Sequence, residues 1–90
     1  MPSAYVLIMC ELGYEIVVMD EIKALSQVTE VNRVYGSSYD MIAKINTDTA
    51  HKLNHIISSK IRRIEKVRAT QTMTVIESQD KMYLTKMGQK

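Results

Sequence analysis

The run Ala4-Tyr5-Val6-Leu7-Ile8-Met9-Cys10 carries no charge and is apolar at both even and odd positions. Successive side chains of a β-strand point to opposite faces, so a strand of this composition is oily on both sides and both need a cover. The run is far too short to span a bilayer, and no basic leader or small-residue cleavage site accompanies it, so neither membrane insertion nor export is expected. The chain has 90 residues, 46% hydrophobic and 24% charged, which is the profile of one compact domain. A domain this small buries a modest fraction of its surface, and association with further copies is a natural route to stability.

After Gly13 the period changes. Val18, Ile22 and Leu25 form one helical stripe, with Glu15, Asp20, Glu21 and Lys23 largely off it, which predicts a first helix of roughly 14 residues. Residues 28–35 alternate β-branched and polar side chains, Gly36-Ser37-Ser38 supplies turn chemistry, and residues 39–46 resume the alternation, which reads as a hairpin. Asn46, Thr47 and Asp48 are candidate N-caps for a second helix whose stripe is Ala50, Leu53, Ile57, Ile61 and Ile64. Residues 66–77, with Thr70, Thr72, Thr74, Val75 and Ile76, read as a final strand. Residues 1–78 are expected to form the single domain, and 79–90 a tail without clear period that frays or forms a short terminal helix. The order strand, helix, strand, strand, helix, strand suits an α+β, ferredoxin-like βαββαβ fold: a four-stranded antiparallel sheet with two helices on one face. The opposite face keeps large apolar side chains of the first strand, so a second sheet is expected to pack there, making a sheet-to-sheet dimer.

The net charge of +2 is too mild to announce nucleic acid. Glu11, Glu15, Asp20, Glu21 and Glu30 make the first part acidic, while Lys60, Arg62, Arg63, Lys66 and Arg68 make a later part basic; two solvated faces are favoured over patches that steer subunits together. The basic run also suits the end of an amphipathic helix, and direct DNA binding is not expected. One cysteine, Cys10, excludes an internal disulfide and points to a reducing, cytoplasmic setting. His51 and His55 stand four apart on the second helix, but no third ligand joins them in a recognised pattern, so surface histidines are expected and no metal. Met9, Met19, Met41 and Met73 occupy core-compatible positions. With no phosphate-binding glycine loop, nucleophile motif or paired carboxylates, neither catalysis nor a cofactor is expected.

Several segments, taken in order, resemble stand-alone effector-binding domains of the Lrp/AsnC family of transcription regulators, also called RAM domains, and archaeal versions most of all. They are Tyr5-Val6-Leu7-Ile8 with Cys10-Glu11-Leu12-Gly13, Glu30-Val31 leading to Tyr39-Asp40 and Ala43-Lys44, and Lys60-Ile61-Arg62-Arg63-Ile64 before Thr70-Gln71-Thr72. The resemblance implies an amino-acid-sensing regulator whose dimers join into larger rings, such as a tetramer of dimers, with a small effector bound between dimers. It implies that full-length relatives carry an N-terminal helix-turn-helix; here the first strand begins by residue 4, so that reader is expected to be missing. Those relatives are then candidate partners for co-assembly.

The resemblance also places Gly36, Ser37, Ser38, Tyr39 and Asp40 near the ligand, with Thr70 and Thr72 as secondary contacts. An α-amino acid presents an ammonium, which Asp40 can hold, and a carboxylate, which turn amides of Gly36 to Ser38 or the threonine hydroxyls can take. The family motif has one residue between the glycine and the aromatic, whereas Ser37 and Ser38 both intervene here, so this hairpin is one residue longer. Two other readings compete: an oligomeric scaffold without a ligand, and a small ferredoxin-like enzyme with Asp40 at a dimer cleft.

Overall fold

The computed structural model describes residues 2–79. Its elements run β1 (Ser3–Cys10), α1 (Glu15–Lys23), β2 (Val28–Arg33), β3 (Met41–Asn46), α2 (Ala50–Ile56, continued by a π-helical turn Ile57–Ile61) and β4 (Val67–Thr74). The four strands form one antiparallel sheet in the order β2-β3-β1-β4, so the both-faces-apolar strand β1 is central and the polar-alternating β2 is an edge. This is the expected ferredoxin-like βαββαβ fold.

The registers divide the side chains between two faces. Val6 lies opposite Ala43 and Thr72, Ile8 opposite Met41 and Thr70, and Ala4 opposite Ile45 and Thr74. Ala4, Val6, Ile8, Met41, Ala43 and Ile45 are fully buried, in one core with Val18 and Ile22 of α1 and with Leu53, Ile56, Ile57 and Ile61 of the second helical segment. Burying each large side chain among these contributes about 1.5–3 kcal/mol. The other face presents Tyr5, Leu7 and Met9 of β1 with Ile42 of β3, all half-buried, and Met73 of β4, which is exposed. Both helices share the first core, so this second face has only its own side chains for cover among the described residues.

Several elements end earlier than their periodicity suggests. Helix α1 spans 9 residues rather than 14, because Leu25 and Val28 are engaged in successive tight turns that lead directly into β2. At its other end the Glu15 carboxylate accepts from the Gly13 N–H at 3.1 Å, supporting the first turn where Tyr14 provides no side-chain cap. The N-cap of α2 is Thr49, whose Oγ1 accepts from Lys52 N at 3.1 Å, not Asn46, Thr47 or Asp48. Asn46 is still in β3, and Thr47 is 5% exposed with its hydroxyl donated to the Thr49 carbonyl, so neither is free to cap. The π-helical turn coincides with Ser58, whose hydroxyl donates to the Asn54 carbonyl at 2.8 Å and competes for a helical acceptor. Of the four core-compatible methionines, Met41 is buried, Met9 and Met19 are half-buried, and Met73 is exposed on the uncovered face. The expected tail lies outside the described residues from 80 onward.

Candidate functional site

The antiparallel registers bring the C-terminal ends of β1 and β2 and the N-terminal ends of β3 and β4 to one end of the sheet. The hairpin from Gly36 to Asp40 occupies that end. Gly36 adopts φ +112, a conformation that L side chains rarely reach, so a glycine there serves the turn whatever else it does. Ser37 Oγ accepts from Tyr39 N at 3.1 Å, a local turn bond that uses up one hydroxyl acceptor, and Ser38 is exposed.

Asp40 is half-buried and joined to β1 twice. Its N–H donates to the Ile8 carbonyl at 2.8 Å, and its Oδ2 accepts from the Cys10 N–H at 2.8 Å. The side chain thus extends the β1–β3 ladder past the last regular pair. A carboxylate can accept on two oxygens, so one oxygen remains for another donor. The neighbouring Cys10 thiol is pushed up from its ordinary 9.0, first by burial and then by the negative charges of Asp40 and Glu15. This is the signature of an inert buried thiol rather than a nucleophile.

Thr70 and Thr72 stand on the other side of β1, on edge strand β4. Thr70 Oγ1 accepts from Arg62 Nε at 3.2 Å, and the two share a cleft of about 360 Å³ with Val67, Arg68 and Ala69. That cleft contains no residue of the hairpin. Within one protomer, therefore, the hairpin residues and the threonines lie along one sheet but do not line a common cavity. Glu11 binds the basic segment beside them, with Lys66 Nζ at 3.5 Å and Arg68 Nη2 at 4.0 Å, while Lys66 also lies 4.8 Å from the Tyr14 ring centroid.

The hairpin end is also unusually apolar at its surface. Leu12 and Tyr14 between β1 and α1, Ile16 and Val17 in the first turn of α1, and Val34 and Tyr35 after β2 are exposed, Leu12 at 89% and Tyr35 fully. His51 and His55 are exposed on α2, and His55 Nδ1 lies 3.2 Å from Ser59 Oγ.

A more enclosed cleft, of about 460 Å³, lies at the opposite end of the sheet, lined by Ser26, Gln27, Asn46, Thr47, Asp48, Lys52, His55 and Ile56. Sequence reasoning gave Asn46, Thr47 and Asp48 only capping roles and His55 a surface one, and gave the other lining residues none, because the cleft arises from the close approach of the turn after α1 to the start of α2. Among the described residues no helix is long and apolar enough to cross a membrane.

The model of the Lrp/AsnC ligand binding domain matches residues 3–83. The crystal structure of FFRP-DM1 is 38% identical over 84% of this chain and 100% of its own, with a TM-score of 0.80. The hypothetical protein PHS023 from Pyrococcus horikoshii is 37% identical over 87% of this chain and 93% of its own, with a TM-score of 0.79. A transcriptional regulator from Neisseria meningitidis, solved as a complex with L-Met, shares the fold at a TM-score of 0.74; at 10% identity the match covers 86% of this chain and 51% of the regulator. No curated protein matches the chain.

Proposed function

The chain belongs to the Lrp/AsnC ligand-binding domain family, and from that premise we propose that it is a non-catalytic, amino-acid-sensing regulatory module acting in the cytoplasm as a homo-oligomer. The observation that carries the proposal is the second sheet face, where Tyr5, Leu7, Met9, Ile42 and Met73 have no helix over them among the described residues. An apolar strip of this kind, flanked on the same face by Lys44 opposite Tyr5 and Gln71 opposite Leu7, is a protein contact surface, and a second copy offers a face of matching size and chemistry. The strand edges support the same arrangement. Edge strand β2 is guarded by an irregular register near Thr29 and by Glu30 and Arg33, whereas the chain from Ala69 to Ile76 along β4 has no charge at all. An unguarded edge invites a partner strand.

Dimers made this way keep the apolar hairpin end free, which gives them a second contact surface and a route to a tetramer of dimers. An amino-acid effector then binds where hairpins of neighbouring dimers meet. The remaining Asp40 oxygen takes the ammonium, amides of the Gly36 to Tyr39 turn take the carboxylate, and Thr70 and Thr72 contribute where the oligomer brings β4 alongside. The complex of the Neisseria regulator with L-Met supports the ligand class. Effector binding regulates by favouring one assembly state, since a ligand shifts an equilibrium only through its differential affinity for the two states. Full-length relatives that share the sheet and carry a DNA reader are the partners through which such a shift reaches transcription.

One observation favours a second reading, an oligomeric scaffold without an effector: Asp40 Oδ2 is already held by the Cys10 N–H. Isothermal titration with each of the common amino acids, run alongside light scattering, separates the two. Saturable heat for at least one amino acid together with a change in particle size supports sensing; no heat and an unchanged oligomer leave the scaffold.

A further inference from the structure

We propose that the cleft at the far end of the sheet from the Gly36–Asp40 hairpin is a second ligand site, complete within each protomer, for a small zwitterion with a short apolar side chain. Its walls are fixed by backbone bonds: Asn46 N donates to the Gln27 carbonyl and Thr47 N to the Pro2 carbonyl, each at 3.0 Å. The buried Thr47 hydroxyl donates to the Thr49 carbonyl at 2.8 Å, so the loop between β3 and α2 is held on both sides. A cleft of about 460 Å³ bounded by fixed backbone has the size of a small-molecule site.

The lining chemistry selects the ligand. Lys52 and Asp48 present opposite charges with Nζ and Oδ2 3.3 Å apart, in a pair whose side chains are 62% and 73% exposed. Such an exposed pair is weakly held and opens readily to exchange partners. The ammonium and carboxylate of an α-amino acid are separated by a similar short distance, so one ligand can engage both, its carboxylate on Lys52 and its ammonium on Asp48. His55 uses Nδ1 towards Ser59, which leaves Nε2 as its other polar atom for the carboxylate. The Gln27 and Asn46 side-chain amides can satisfy remaining polar groups, and Ile56, nearly buried, offers the apolar floor that limits the side chain to a short one. A simple anion would leave Asp48 opposed to it, and a simple cation would meet Lys52, so the mixed charge of the cleft fits a zwitterion better than either.

This site is independent of the hairpin reading and is tested separately from it. The full chain, labelled with nitrogen-15, is titrated with L-alanine, L-valine, propionate and ethylamine while amide shifts are followed. Saturable shifts of the Gln27, Asp48, Lys52 and His55 amides are expected with the amino acids up to about 10 mM, above the millimolar Kd of a minimal site. Both singly charged analogues should bind at least tenfold more weakly. Lys52→Met and Asp48→Asn, at exposed positions, should each weaken binding at least tenfold, whereas Glu65→Gln, exposed and outside both sites, should leave it unchanged. The proposal is overturned if these amides show no saturable shift, if the shifts fall on the hairpin instead, or if Lys52→Met and Asp48→Asn bind as the wild type does. Loss of binding between dimers with this response intact would remove the hairpin reading alone.

Discussion

The Asp40 carboxylate and the Cys10 amide meet at 2.8 Å where regular pairing of β1 with β3 stops, and that bond ties the hairpin to the core. Next to it the Cys10 thiol is held above its ordinary 9.0, chiefly by burial, with the charges of Asp40 and Glu15 adding to the effect. A group whose pKa is raised by folding gives its full stabilisation below its unfolded value and loses it as pH climbs through the folded one. Cys10→Ala therefore provides the reference for the alkaline limb of stability. The stability difference between wild type and Cys10→Ala in urea unfolding should hold steady near neutrality and shift against the wild type above about pH 9. A difference that does not change with pH would show that the thiol stays protonated in both states or feels no such environment. The family resemblance singled out Asp40 as a ligand contact, but its bond to a backbone amide 30 residues earlier was not legible in the sequence, since nothing in local pattern encodes that approach.

At the scale of elements, all four strands and both helices were legible, because Ala4–Cys10 is an unbroken apolar run of strand length, β-branched and polar residues alternate in the hairpin strands, and apolar residues recur at helical spacing through Val18 and Ile22 and through Leu53, Ile57 and Ile61. Their ends were not. Asn46, Thr47 and Asp48 each have capping chemistry, and tertiary packing decided among polar neighbours in favour of Thr49 by keeping Asn46 in the sheet and burying Thr47. The π-helical turn at Ile57–Ile61 likewise preserves an apolar stripe that an α-helix would display equally well, so periodicity cannot distinguish them. Thr49→Ala should cost about 1 kcal/mol through loss of the bond to Lys52 N. In a domain of this size that is a fall of about 4–8 °C in the thermal midpoint. Asp48→Ala, which loses only an exposed ion pair, should shift it far less. Equal shifts for the two variants would contradict the assignment of the cap.

For the molecule as a whole, the feature that governs behaviour is the division of the sheet into a helix-covered face and a bare one. That division was legible from β1 alone, whose odd positions Tyr5, Leu7 and Met9 are as apolar as its even ones. The clefts were not, because they depend on how distant segments meet: Ser26 and Gln27 against Asp48 to Ile56 at one end, Arg62 against Thr70 at the other. The same limit explains why the hairpin residues and the threonines, grouped by family resemblance, share no cavity in one protomer. Only a second copy can bring them to one ligand, so the sensing proposal depends on assembly through the bare face. Sedimentation of the full chain from micromolar to near-millimolar concentration tests this most directly. The wild type should sediment at no less than twice the 10.3 kDa of one chain, and Leu7→Lys, which places a charge at the centre of the bare face, should shift it towards the single chain. A wild type that remains a well-behaved 10.3 kDa species throughout would contradict the account.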